Sequence, residues 1–258
     1  MKIAVCVKQI PDPSALGRLA SESRRLVREG VELVLDPGDA YAVEAALQLA
    51  AEEGDQVVAI SMGPESAADA LRKAMAMGVG AALLVSDPRL AGSDALATAR
   101  VLAAAVRRVG PDLLIAGTES TDGYTGTVPA AVAELLGWPS LTFARQVELG
   151  GAGIRIQRQT PQGHDLVESP LPAVVTVTGG INEPRYPTLK GIVAARGRPI
   201  DQPGLEELGV DPEGAGAGGR QRVVAVDPVP PRASGQVVED DGSGAKRIAD
   251  LLAELRVI

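Results

Sequence analysis

Residues 55–86 read DQVVAISMGPESAADALRKAMAMGVGAALLVS and contain one complete strand–helix–strand unit. The strand VVAIS is apolar along almost its whole length, the mark of a strand covered on both faces. Pro64 stands in the first turn of the following helix and Gly78 just past its end, the proline-in, glycine-out asymmetry of a helix. The second strand, AALLVS, is again apolar throughout. Two such strands joined by a helix pair in parallel through a right-handed crossover.

Working outward, the same alternation recurs. KIAVCV (2–7) and VELVL (31–35) read as strands, and AYAVEAALQLAAEEG (40–54) as a helix with Asp39 as its expected N-cap. SDALATARVLAAAVRRVG (93–110) is a helix, PDLLIAG (111–117) a strand, TGTVPAAVAELLG (125–137) a helix and PSLTFA (139–144) a strand. The expected fold is therefore α/β: a doubly wound, mainly parallel, Rossmann-like sheet.

After Ala144 the texture changes. RQVELGGAGIRIQRQT (145–160) alternates apolar and polar residues around glycines, which predicts a β-hairpin insertion over 145–168. HDLVESPLPAVVTVTGG (164–180) returns to a buried strand. NEPRYPTLKGIVAARGRPI (182–200) turns through two prolines into a short basic helix. From Pro203 glycine and proline dominate, as in EGAGAGG (213–219) and VDPVPPRASG (226–235), the composition of an extended arm. GAKRIADLLAELRVI (244–258) closes as an amphipathic helix fit to dock on something. The division expected is an α/β domain over 1–200 and a C-terminal arm over 201–258.

Composition excludes several chemistries. One cysteine, Cys6, forbids an internal disulfide and fits a reducing, cytoplasmic setting. One histidine, His164, leaves no triad or multi-histidine metal site. A net charge of −8 and 2% aromatics argue against a nucleic-acid binder, and no apolar run approaches 18 residues, so no membrane insertion is expected. Cys6 reads as a small core residue, His164 as exposed and idle, Trp138 as a core anchor at a helix end.

In open α/β sheets ligands sit beyond the carboxyl ends of the strands. The richest such loop is GTESTDGYTGTV (117–128): small and hydroxylated residues lead into a helix whose first amides can hold an anion such as phosphate. Thr125 and Thr127 add hydroxyls. DPGD (36–39) is a second polar strand-end turn, most simply a helix cap. Neither GxxxxGK[ST] nor a GxGxxG after the first strand is present. Spacing alone stops at a small-molecule-binding α/β domain with a docking arm.

Three blocks carry a resemblance: KIAVCVKQIPD with DPGDAYAVEAALQL, then GTESTDGYTGTVPAAVAELLGWPSLTFARQVEL, then LPAVVTVTGGINEPRYPTLKGIVAARGRPI. In this order they resemble the β subunits of electron transfer flavoproteins over residues 1 to about 200. The resemblance implies an adenine-nucleotide-binding fold, structural AMP in this subunit, and FAD held mostly by an α subunit on which the C-terminal helix docks. It implies electron transfer rather than bond-making catalysis. Acyl-CoA or other flavin dehydrogenases would be donors and a quinone oxidoreductase the acceptor.

Carried over by position, the AMP pocket would use Cys6, Asp36, Pro37, Gly38, Asp39, Met62, Asp122, Gly123, Tyr124, Thr125, Gly126, Thr127, Val128, Ala130 and Ala133. The stretch 182–198 would be the recognition loop for partner dehydrogenases, with Leu189 as anchor and Arg185, Lys190, Arg196 and Arg198 as steering charges. KQIPDP would approach the FAD. The chain departs from the family at DGYTGTVPA: Tyr124 stands for an acid, Thr127 for a glutamine and Pro129 for a glycine, and proline lacks an amide donor. That departure keeps open a bifurcating form with FAD in place of AMP. A stand-alone ATP- or AMP-binding stress-type module is the alternative of another class.

Overall fold

The computed structural model describes residues 1–15, 17–151, 153–211, 220, 221, 223–227, 229–231, 235, 237 and 240–258. Residues Met1–Val223 form one unit and Val224–Ile258 another.

The first unit is built on an eight-stranded sheet. Its strands are β1 (Lys2–Cys6), β4 (Gln56–Met62), β5 (Ala81–Val85), β6 (Leu113–Gly117), β7 (Ser140–Gly150), β8 (Gly153–Thr160), β9 (Gly163–Ser169) and β10 (Ala173–Val177). Spatial order is β5-β4-β1-β6-β10-β7-β8-β9, with every pair from β5 to β7 parallel and the last two antiparallel. The chain builds outward from β1 through β4 to β5, then returns to the other side of β1 with β6. That reversal opens the crevice between the tips of β1 and β6.

Side-chain alternation splits the core between the two faces. Ile3, Val5, Val57, Ala59, Leu113, Ile115, Ala173 and Val175 pack with α1 (Pro37–Leu49), α2 (Ala68–Met77) and α5 (Leu189–Gly197). Ala4, Ile60, Leu114 and Val174 pack with α3 (Ala95–Val109) and α4 (Val128–Leu136). Leu205 and Val210 are buried in that second layer, with Trp138 packed at its rim, so packed structure continues past residue 200.

Three local expectations are revised. VELVL does not join the main sheet: β3 (Leu33–Leu35) pairs antiparallel with β2 (Gln9–Pro11) in a two-stranded sheet of its own. HDLVESPLPAVVTVTGG splits into two strands, β9 at the exposed sheet edge, where His164 faces Gln159, and the fully buried β10. The cap of α1 is Asp36, whose carboxylate accepts from Gly38 N at 2.9 Å, and not Asp39, which lies inside the first turn behind Pro37.

β7 serves two partners. Its first half runs parallel to β10; past an irregularity at Ala144 to Gln146 it runs antiparallel to β8. In the second unit, α6 (Gly244–Glu254) is capped by no side chain and exposes Ile248, Leu251 and Leu255 at helical spacing. EGAGAGG and part of VDPVPPRASG lie outside the described residues.

Candidate functional site

The crevice at the tips of β1 and β6 gathers the strand-end loops. Asp36 is fully buried. Besides capping α1, it accepts from Thr121 N at 2.8 Å and Thr121 Oγ1 at 2.7 Å, tying the loop after β6 to the start of α1. Asp39 accepts from Lys8 N at 2.7 Å. Burial, with the Asp36 charge beside it, holds the Asp39 carboxyl well above the usual carboxylate range. Gly117 is required here because a Cβ would lie 2.9 Å from Asp39 Oδ1 and 3.3 Å from the Gly38 carbonyl carbon. Burial pushes the Cys6 thiol up to about 12, with Asp39 adding to it, which makes Cys6 an inert wall and no nucleophile.

Asp122 directly precedes the exposed part of the loop. Its buried carboxylate accepts from Lys8 Nζ at 2.6 Å and is paired with Arg28 Nη2. Lys8 Nζ also reaches Ser120 Oγ at 3.2 Å. Burial would raise the Asp122 carboxyl, but the two cations win and hold it below its ordinary value. Gly123, Tyr124, Thr125, Gly126 and Thr127 then lie exposed, leading into α4. Tyr124 and Gly126 take positive φ angles of 48° and 67°, which turns the loop sharply. No side chain caps α4, and its first helical bond is Ala131 N to Thr127 O, so the amides of Val128 and Ala130 head an open helix end, with Pro129 lacking one. Met62 ends β4 and packs against the α3–α4 core layer, and Ala133 is buried in that core. Among the described residues no cluster is suited to hold a metal ion, and no helix is long and apolar enough to cross a membrane.

Arg28, Ser120 and Thr121 are crevice residues that sequence reasoning missed, and Lys8, read there as the start of the FAD-facing KQIPDP, binds Ser120 and Asp122. Thr121 and Ser120 lie inside the loop it selected. Arg28 could not be found: 94 residues separate it from Asp122, and no local pattern marks it.

The stretch 182–198 is held as a rigid ledge. Asn182 Nδ2 donates to Tyr41 O at 3.0 Å, and Arg185 grips the buried Glu44 by Nε at 2.7 Å and Nη2 at 3.0 Å. Thr188 Oγ1 caps α5 by accepting from Gly191 N at 3.0 Å, and Arg72 donates to the Ala195 and Arg196 carbonyls at its far end. Arg198 donates to Val79 O at 3.2 Å. Lys190 and Arg196 stay exposed on the ledge. On this ledge Leu189 is 78% exposed, with Tyr186 and Val193 exposed near it.

Gly191 lets α5 lie against α2, since a Cβ would meet Ala76 O at 2.5 Å. Gly191→Ala is expected to lift α5 and cost about 1–3 kcal/mol, read as a fall in Tm; an unchanged Tm would contradict this close contact. Glu44 supplies a pH signature. Burial would raise its carboxyl, but the Arg185 hydrogen bonds outweigh it and depress the folded value below the ordinary 4.5. A depressed carboxylate stabilises the fold above its unfolded value and loses that contribution as pH falls through the folded one. Thermal stability should therefore drop below about pH 4.5, and less steeply in Glu44→Gln; identical profiles would remove Glu44 from the account.

A separate concavity of about 560 Å³ lies between α1 and the β7–β8 hairpin, lined by Gln48, Leu49, Gln146, Arg155, Leu166 and Ile181 among others. It shares no residue with the crevice.

The electron transfer flavoprotein domain model matches residues 24–208. An electron transfer flavoprotein subunit beta of Mycobacterium bovis is 39% identical over 99% of both chains. One from Megasphaera elsdenii is 34% identical over 95% of this chain and 94% of its own. The caffeyl-CoA reductase-Etf complex subunit CarD of Acetobacterium woodii is 36% identical over 84% of this chain and 83% of its own. Together with the crevice and its doubly wound sheet, these similarities mean that the chain belongs to the electron transfer flavoprotein family, as a β-subunit member.

Proposed function

We propose that this chain is the β half of a heterodimer that carries electrons through FAD, and that the β1–β6 crevice holds a structural AMP. The observation that carries the nucleotide reading is the uncapped end of α4, entered through a loop whose Asp122 is held by Lys8 and Arg28. Open amides at a helix start, with two cations neutralising the carboxylate beside them, are what a phosphate needs. The groups fit: Thr125, Gly126, Thr127 and the Val128 amide would meet the phosphate, while Gly38, Asp39, Cys6 and Met62 would line the remaining wall, with the fully buried Asp36 behind them. FAD, held mostly by the α subunit, supplies the redox chemistry. This chain would turn the KQIPDP segment, which carries β2, toward it, and no side chain here is assigned a proton-transfer role.

The ledge at 182–198 supports docking of a flavin dehydrogenase, with Leu189 entering the partner and Lys190 and Arg196 steering its approach. Arg185 serves differently: bound to Glu44, it fixes the ledge. The exposed apolar stripe of α6 suits the α subunit. A membrane-associated quinone oxidoreductase would take the electrons onward. The test is to mix the co-purified heterodimer with an acyl-CoA dehydrogenase and its substrate and follow flavin absorbance. Bleaching at a rate that saturates with dehydrogenase supports the carrier reading; a heterodimer that stays oxidised beside several reduced flavin dehydrogenases contradicts it.

A further inference from the structure

We propose that Arg28 is a positioning residue for the nucleotide: by neutralising the buried Asp122 it lets an adenylate phosphate approach the loop that enters α4. The proposal rests on the crevice being an adenylate site. The Asp122 side chain is only 3% exposed and directly precedes the exposed turn 123–127. A carboxylate there with too little compensation would repel a phosphate and would itself be an unpaired buried charge. Lys8 alone only balances it, and Lys8 also serves Ser120. Arg28 adds the second cation, so the Asp122 cluster itself sums to +1, which offsets the Glu119 carboxylate lying against Gly126 in the same loop.

The two cations arrive by different routes. Lys8 follows β1 and has its amide fixed by Asp39. Arg28 comes from the connection between β2 and β3, outside the eight-stranded sheet. The second cation on Asp122 is thus supplied by a segment that contributes no strand to the main sheet. A phosphate-bearing ligand should feel Arg28, and the same nucleoside without phosphate should not.

The test uses the full chain as heterodimer with its α subunit, freed of exchangeable nucleotide, and measures AMP and adenosine binding by calorimetry. Arg28→Gln is expected to weaken AMP about tenfold or more while leaving adenosine unchanged. Arg28→Lys should keep most of the AMP affinity, and adding Asp122→Asn to Arg28→Gln should restore it, because the carboxylate that needed neutralising is gone. Equal losses for AMP and adenosine, or no recovery in the double variant, would mean a merely structural Arg28 and overturn the proposal. If the unaltered heterodimer binds neither ligand, the adenylate reading falls and this proposal with it; if it binds AMP and Arg28→Gln binds it equally well, only this proposal falls.

Discussion

Leu189→Ala is expected to slow electron acceptance from a partner dehydrogenase by roughly 30-fold, the effect of losing about 2 kcal/mol at an interface anchor. Leu189 opens α5 with 78% of its surface in solvent. Truncating it removes almost no contact within the chain, so Tm, heterodimer yield and FAD content should stay put. The ledge beneath is fixed by the Thr188 cap, the Arg72 bonds and the Arg185–Glu44 pair, so a docking Leu189 would meet its partner pre-ordered and lose little entropy. The loss should lie in the dissociation rate of the complex. Lys190→Gln, by contrast, should chiefly reduce the salt dependence of association. Stopped-flow flavin reduction at varied dehydrogenase concentration separates the two. A Leu189→Ala heterodimer that accepts electrons at the unaltered rate would remove Leu189 as the anchor.

Asp36→Ala is the second large effect, and it falls on the fold as well as the site. The substitution deletes the α1 cap, worth about 1 kcal/mol, and leaves the Thr121 amide and hydroxyl without an acceptor in a buried place, at about 1–3 kcal/mol more. At roughly 2–4 °C per kcal/mol for a domain of this size, Tm should fall by about 5–15 °C. The loop from Thr118 to Thr127 would lose its tie to α1, so bound AMP should be lost under mild dialysis that leaves the unaltered protein loaded. Asp36→Asn discriminates cap from tie. Its amide oxygen can still cap Gly38 N, but its NH2 would face the Thr121 amide, donor against donor. It should lose nucleotide while recovering part of the stability. Asp36→Ala with unchanged Tm and unchanged AMP retention would sink this assignment.

How far the sequence carried depended on whether a signal was local. The parallel sheet follows from apolar strands such as Val57–Ile60 and Leu113–Ile115 alternating with capped helices, because burial on both faces writes itself into consecutive residues. VELVL has the same texture, yet joins β2, since the strand period says nothing about which sheet a strand enters. Placing the α1 cap at Asp39 overlooked Pro37, which fits the first helical turn and so points to Asp36 before it. The edge strand β9 hid inside a run ending in the buried AVVTV, with only Pro170 and Pro172 to mark the break. At the site, the loops were legible because a strand end followed by small and hydroxylated residues is a contiguous pattern. Arg28 and the Arg185–Glu44 grip were not, because each joins residues about a hundred or more positions apart through the fold alone.

The crevice at the β1–β6 switch point is the central claim, and its most direct measurement is a nucleotide count. The chain is co-expressed with its α subunit, the purified heterodimer is denatured, and the released nucleotides are separated and quantified. One FAD and one AMP per heterodimer is the predicted result. Two FAD would put a dinucleotide where AMP is assigned. FAD with no second adenylate, or a monomer that ignores the α subunit, would contradict the crevice as an adenylate site.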